Sequence, residues 1–325
     1  MIKSQLKTRN PNSMTNGTKK MAGSMTGILP ALVFCGLSAC DLSQGKSNDS
    51  SLSAPDDSQV NSLTHNGETR EYLVYVPESY DGNTALPMML NFHGGGMTAT
   101  GQLWLTDMRD LADAENFILV YPQGTGLESG DAHWNTMLSE EGNKSSTDDF
   151  GFVDALIDEM ASSHNIDTSR VYATGYSNGA GFAYSLGCHL SQKIAAIAPV
   201  SGLMLGQEHG GCNPTRPIPI ISFNGTDDGA RPYGGIDGWM LSVEESNAFW
   251  AGVNNMDSNP TVNSINDNEY SVEHSLFSGG DNNTCMEHYR IIGGGHDWFE
   301  LDVNGADTNR LIWDFVSRYD TGGLR

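Results

Sequence analysis

Basic charge is scarce in this sequence. Seventeen Lys and Arg stand against 40 Asp and Glu in 325 residues, a formal net charge of −23. Nucleic acid, or any other polyanion, is therefore a poor partner, because Coulomb repulsion replaces the gain from counterion release. The acidic residues are scattered rather than blocked, which reads as a solvated surface suited to saline or extracellular surroundings. Cysteine is sparse too, with five residues, and neither CxxC nor HExxH occurs, so the common zinc arrangements are missing. The stretch DVNGADTN (302–309) is only a distant echo of a calcium loop. Neither a metal nor an organic cofactor is expected to take part in the chemistry.

Long apolar runs are also missing. GILPALVFCGLSA (27–39) follows Lys19 and Lys20; it has signal-peptide length and is short for a membrane span. It ends in Leu37-Ser38-Ala39-Cys40, which resembles the bacterial lipobox, whose cysteine is lipidated and becomes the first mature residue. Residues 1–40 are thus expected to be a signal peptide with a lipobox, with Met14, Met21 or Met25 as alternative starts. Export follows, with the protein held at a membrane only through acyl chains on Cys40, in the periplasm or at the cell surface. A soluble secreted protein cleaved nearby is the alternative. With Cys35 removed and Cys40 lipidated, Cys188, Cys212 and Cys285 remain. An oxidising setting favours pairing, and an odd number leaves one thiol free or paired in trans.

Residues 41–66 are rich in Ser, Asp, Asn and Gln and nearly devoid of large apolar side chains. Such a composition buries too little surface to offset chain entropy, which predicts a flexible tether with the folded domain at 67–325. Beyond it the pattern alternates. YLVYV (72–76), MMLNF (88–92), FILVY (117–121), VYATG (171–175), IAAIAPV (194–200) and IPIISF (218–223) are short apolar runs bounded by turn residues, as strands covered on both faces require. Phe152, Val153, Leu156, Ile157 and Met160 recur at helical spacing, and TNRLIWDFVSRY (308–319) closes the chain as a helix. Alternation of this kind predicts one α/β domain with a mostly parallel sheet and helices on both faces. Residues 255–285, rich in Asn, Asp and Ser, read as a surface excursion.

GYSNGAGF (175–182) follows the strand VYATG. A serine on a sharp strand-to-helix turn projects its hydroxyl above the sheet edge, and Gly175 and Gly179 are needed where a side chain would strike the neighbouring strand or helix. The competing reading is a plain glycine-rich loop. As a nucleophile Ser177 needs a base, because a hydroxyl is weakly nucleophilic at neutral pH. The chain order Ser…Asp…His of such folds points to a late histidine, and His296 follows a strand near 289–292 and three glycines. Asp227 and Asp228, just after the strand at 218–223, both offer the carboxylate that would fix the imidazole. The loop HGGG (93–96), also after a strand, can turn N–H groups toward the serine, with His93 in a structural role. A phosphate-cradling reading of that loop is weak, since no Walker lysine follows it.

With these residues in hand, the chain resembles the secreted esterase family of polyhydroxybutyrate depolymerases and feruloyl or acetylxylan esterases, within the α/β-hydrolase superfamily. The likeness runs from about Gly67 to Tyr319 through ordered landmarks: REYLVYVP, PMMLNFHGGG, FILVYPQG, HWN, DDFGFVDALID, IDTSRVYATGYSNGAGFAY, AAIAPVSG, NGTDDGARPYGG, GGGHDW and LIWDF. The resemblance implies an α/β-hydrolase fold and places the nucleophile at Ser177, the general base at His296 and the acid at Asp228. It puts the oxyanion N–H groups at Gly95 and Asn178, and aromatic positions near the acyl site at Trp134 and Trp298, for which core packing is the alternative role. Two departures stand out: Asn224 replaces a usual histidine and Phe299 a usual proline. A cysteine often found just after the helix ending near Trp250 is missing, which leaves Cys285 without that partner and makes Cys188–Cys212 the preferred disulfide. The activity implied is hydrolysis of a polyester or a polysaccharide ester. A catalytically silent surface module that stacks sugars on Trp134 and Trp298 is the reading from another class, and the intact Ser, Asp and His argue against it.

Overall fold

Ten strands pair into one sheet among the described residues, in the order β1-β2-β4-β3-β7-β8-β9-β12-β11-β10. The structure, a computed structural model, describes residues 52–138, 142–266 and 269–325, which fall within the compact unit Ser50–Arg325. The expected signal peptide, the lipobox at Cys40 and the first part of the tether lie outside the described residues.

The strands are β1 (Gln59–His65), β2 (Glu68–Tyr75), β3 (Leu86–Phe92), β4 (Ile118–Pro122), β7 (Ile166–Tyr176), β8 (Ile194–Val200), β9 (Ile220–Gly225), β10 (Thr261–Asn266), β11 (Ser271–Phe277) and β12 (Met286–Ile292). Two small hairpins, β5 (Thr125–Gly126) with β6 (Ala132–His133) and β13 (Tyr319–Asp320) with β14 (Gly323–Leu324), lie outside the sheet. The helices are α1 (Ala99–Thr106), α2 (Arg109–Glu115), α3 (Asp149–Ser163), α4 (Asn178–His189), α5 (Gly206–Gly211), α6 (Val243–Val253) and α7 (Thr308–Val316).

From β4 to β12 the pairing is parallel, and the strands on either side run antiparallel. Alternation along each strand divides the core in two. Met88, Leu90 and Phe92 of β3 pack with α3, α4 and α6, whereas Met89 packs with α1, α2 and α7. Burial on both faces explains why the central strands are apolar at nearly every position. The fold is thus the α/β arrangement that the sequence predicts, with helices covering both sides of the sheet.

Two expectations need correction. Ordered chain begins before residue 67: β1 lies inside the segment read as a tether, pairing with β2 across Asn66-Gly67, whose φ angles are 50° and 83°. This edge strand, with Gln59, Asn61, Ser62 and Thr64 among its residues and only Leu63 packed against the core, is held mainly by its ladder, and the Asn-Gly dipeptide supplies the left-handed turn. Residues 261–266 and 271–277, read as part of a surface excursion, form β10 and β11 and extend the sheet at its other edge. Both are rich in polar residues, Thr261, Asn263, Ser264 and Asn266 in β10 and Ser271, Glu273, His274 and Ser275 in β11, which hid their strand character.

Cys188 at the end of α4 is disulfide-bonded to Cys212, 24 residues on, and Cys285 remains a thiol next to the Tyr319 hydroxyl at 3.0 Å.

Candidate active site

The carboxyl ends of the neighbouring parallel strands β3, β7, β9 and β12 carry the residues singled out in the sequence. Ser177 sits between β7 and α4 with φ 53° and ψ −109°. That conformation is sparsely populated for a residue with a side chain and persists only where its surroundings enforce it. Here they do. The Ser177 N–H donates to the Val200 carbonyl at 3.0 Å, and its own carbonyl accepts from Gly181 at 3.1 Å. A Cβ at Gly179 would stand 2.2 Å from the Phe92 carbonyl oxygen, and one at Gly175 would stand 2.6 Å from the Gly179 carbonyl carbon. The two glycines permit the close approach of β3, β7 and α4 that sharpens the turn.

His296 reaches the serine from the loop after β12. Its Nε2 lies 2.9 Å from Ser177 Oγ, and its Nδ1 lies 2.7 Å from Asp228 Oδ2. Asp228 is buried at 5% exposure, and its Oδ1 accepts the backbone N–H groups of Ala230 at 2.8 Å and Arg231 at 2.7 Å. Because a carboxylate only accepts, the Nδ1–H donates to it and Nε2 is left to accept the serine proton. The neighbouring Asp227 is exposed, and its carboxylate accepts from the adjacent Thr226 hydroxyl at 3.2 Å, away from the imidazole. The structure therefore separates two aspartates that residue-level reasoning left equivalent.

The loop bearing the imidazole is pinned from below. The Tyr176 hydroxyl donates to the His296 carbonyl at 2.6 Å, and the Ser201 hydroxyl donates to the Asp297 carbonyl at 2.6 Å. Sequence reasoning missed both residues, although Tyr176 lies inside the serine motif itself.

Gly94 and Gly95 lie against Ser177 and Asn178: a Cβ built at Gly94 would be 3.5 Å from the serine Cβ, and one at Gly95 3.6 Å from the asparagine Cβ. The N–H of Asn178 belongs to the first turn of α4, where no intrahelical acceptor exists. The Gly95 N–H has no acceptor among the described residues. The Asn178 side chain is occupied elsewhere, accepting from the Trp134 N–H at 2.8 Å and donating to its carbonyl at 3.1 Å.

His93 is fully buried and structural in its contacts. Its Nδ1 donates to the Gly94 carbonyl at 2.8 Å, and its Nε2 accepts from the Gly124 N–H at 2.9 Å. Burial pushes this imidazole down to about 4. Its two bonds shape the glycine loop beside the serine.

The two tryptophans are not where a substrate would meet them. Trp134 is fully buried: its ring stacks on Phe182 at 5.2 Å, Phe92 meets it edge-on, and its Nε1 donates to the His93 carbonyl at 3.1 Å. Trp298 packs in the core on the other side of the sheet, bonds Asn309 Oδ1 at 3.1 Å and borders a separate depression with Trp104 and Leu105. For both, core packing is the role the structure supports. The pocket that opens on Ser177 is bordered instead by His133, Lys144, Leu205, Arg231 and Trp239. His133 lies in the landmark HWN and Arg231 in NGTDDGARPYGG, but neither stretch marks them as pocket residues; Lys144, Leu205 and Trp239 come from loops joined only by the fold.

The echo of a calcium loop also resolves into local structure. Asp302 Oδ1 accepts from the Gly305 N–H at 2.8 Å, and Asp307 caps α7 by accepting from the Arg310 N–H at 2.7 Å.

Similar proteins point the same way as the geometry. The family described as Esterase PHB depolymerase matches residues 70–216. A bifunctional acetylxylan esterase/xylanase from Neocallimastix patriciarum is 30% identical over 260 residues, covering 79% of this chain and 34% of that protein. Feruloyl esterase B of Piromyces equi is 29% identical over 263 residues, covering 77% of this chain and 45% of that protein. The chain thus spans between a third and a half of the length of these relatives. An acetyl xylan esterase from Aspergillus awamori superposes with a TM-score of 0.55 at 17% identity, covering 80% of this chain and 99% of that one. The resemblance to esterases of the α/β-hydrolase fold, read first from ordered motifs, is shown by these matches.

Proposed function

We propose that the protein is an exported serine esterase that cleaves carboxylic esters through an acyl-enzyme. The observation that carries this reading is the continuous hydrogen-bonded chain from Ser177 Oγ through His296 to Asp228, at 2.9 and 2.7 Å. Ser177 Oγ attacks the ester carbonyl as His296 Nε2 takes its proton. Asp228 keeps the imidazole in the accepting tautomer and stabilises the imidazolium. The N–H groups of Gly95 and Asn178 receive the oxyanion, each such donor contributing about 10² to 10³ in rate. Collapse of the tetrahedral species expels the alcohol, protonated by His296. Water, activated by the same imidazole, then attacks the acyl-serine and releases the acid.

The substrate reading that we put first is a polyester of the polyhydroxybutyrate type, supported by the family description that matches residues 70–216. A second reading, a feruloyl or acetyl ester of a polysaccharide, is favoured by what the named relatives act on. Rates on polyhydroxybutyrate film and on methyl ferulate, measured side by side, separate the two. Export, with Cys40 as the lipid anchor or with cleavage nearby to a soluble form, completes the proposal; an unmodified mature N-terminus by mass spectrometry would remove the anchor.

Ser177→Ala should lower hydrolysis of p-nitrophenyl butyrate by more than about 10⁴-fold with an unchanged melting temperature. The unaltered protein should be labelled one-to-one by a fluorophosphonate. An active Ser177→Ala variant would refute Ser177 as the nucleophile, and no labelling together with no turnover would return the protein to the class of silent binding modules.

A further inference from the structure

The pocket in front of Ser177 is bordered by two cations that, among the described residues, neither a carboxylate nor a main-chain carbonyl takes up. Acids outnumber bases by more than two to one in the sequence, so basic side chains readily find carboxylates. Arg216 and Arg325 donate to main-chain carbonyls. The other basic side chains among the described residues, two excepted, sit in ion pairs. The two exceptions are Lys144 and Arg231, and both border this one pocket.

Arg231 is half-buried, with its guanidinium carbon 5.9 Å from the ring centre of the exposed Trp239 and its Nη1 3.7 Å from the Met240 sulfur. The facing carboxylate is Asp228, and it is already occupied. One of its oxygens bonds His296, and the other accepts two backbone N–H groups, including that of Arg231 itself. Lys144 stands exposed on the opposite loop. His133, which lies between the glycine loop and these cations, is neutral at pH 7, since burial and then the charges of Lys144 and Arg231 push it down to about 4. A half-buried cation without an anion is costly to keep. Its position beside a nucleophile makes the substrate the natural source of the missing charge.

We propose that this pocket selects esters bearing a carboxylate close to the scissile bond, with Arg231 and Lys144 as the residues that hold that carboxylate. The proposal rests on the serine-esterase reading and narrows its substrate class to acidic esters: a diacid half-ester on the acyl side, or an alcohol that itself carries a carboxylate. Arginine suits this role because its planar fork pairs with both oxygens of a carboxylate. The field of the whole protein opposes it: at a net charge of −23 an anionic ester should be the poorer substrate of any matched pair unless a local site reverses the preference.

Two matched pairs test the two sides. Phenyl hydrogen adipate against phenyl hexanoate reads the acyl side, and 4-carboxyphenyl butyrate against phenyl butyrate reads the alcohol side. In at least one pair kcat/KM should favour the carboxylate member tenfold or more, about 1.4 kcal/mol. The ratio should fall toward one in the double variant Lys144→Gln/Arg231→Gln. Lys144→Glu, on the surface and tolerant of change, should lower the ratio by itself. Neutral members equal or preferred in both pairs, with turnover abolished by Ser177→Ala, would overturn the charge proposal and leave the esterase standing. A tenfold preference that survives the double variant would overturn the assignment to these two side chains. No turnover of any ester would bring down the esterase reading and this proposal with it.

Discussion

At the residue scale, the site depends on which atom of each side chain is already committed. Asp228 shows this most clearly. Its Oδ1 takes two backbone N–H groups, so in Asp228→Asn the amide oxygen must occupy that position and the NH₂ must face His296 Nδ1. The imidazole would then carry its proton on Nε2 and could no longer accept from Ser177. The kcat for p-nitrophenyl butyrate should fall by about 10³- to 10⁴-fold with little change in KM, whereas Asp227→Asn should leave both unchanged. Sequence order and turn chemistry sufficed to pick out Ser177 and His296, because each follows a strand and glycines. They did not separate Asp227 from Asp228, since that distinction lies in burial. Nor did they place Trp134 and Trp298, because an aromatic beside a motif looks the same whether it faces a cleft or a core.

At the scale of elements, the sharp turn between β7 and α4 is built by close backbone contact. A methyl group at Gly179 would meet the carbonyl of Phe92 and that of His93, backbone atoms that have nowhere to go. Gly179→Ala should therefore destabilise by about 3 kcal/mol or more and abolish activity. Gly210→Ala, where a Cβ meets nothing within 4 Å, should be nearly neutral. Paired urea titrations of the two variants check this. The central strands and α3, α4 and α7 were legible because burial on one face or two imposes an apolar pattern. The edge strands β1 and β10, and β11 beside β10, were not, since β1 and β10 are mostly exposed and held largely by their ladders, and β11 buries only Val272 and Phe277. For β1 the usable signal was Asn66-Gly67, a hairpin turn in two letters.

At the scale of the whole molecule, acid should loosen the fold before its carboxylates titrate. Burial pushes His93 down to about 4 and His288 to about 3, from an ordinary 6.5. Between those values and 6.5 the unfolded chain binds more protons than the folded one, so stability rises with pH through that window. It is complete above about 6.5 and is lost as pH falls toward 4 and 3. The loss is on the order of a few kcal/mol, at 1.36 kcal/mol per unit for each buried imidazole. Urea midpoints should fall from pH 7 to pH 4.5, and the fall should be shallower in His93→Gln and His288→Gln. An invariant midpoint would contradict the neutral, buried state of both rings.

One contact described above has a mechanical consequence. Tyr176, the residue before the serine, grips the main chain of His296, while Ser201, just past the end of the adjoining strand β8, grips that of Asp297. On the proposed mechanism, attacking oxygen and proton acceptor thus ride on one anchorage, so thermal drift carries the two together and preserves the short gap between them.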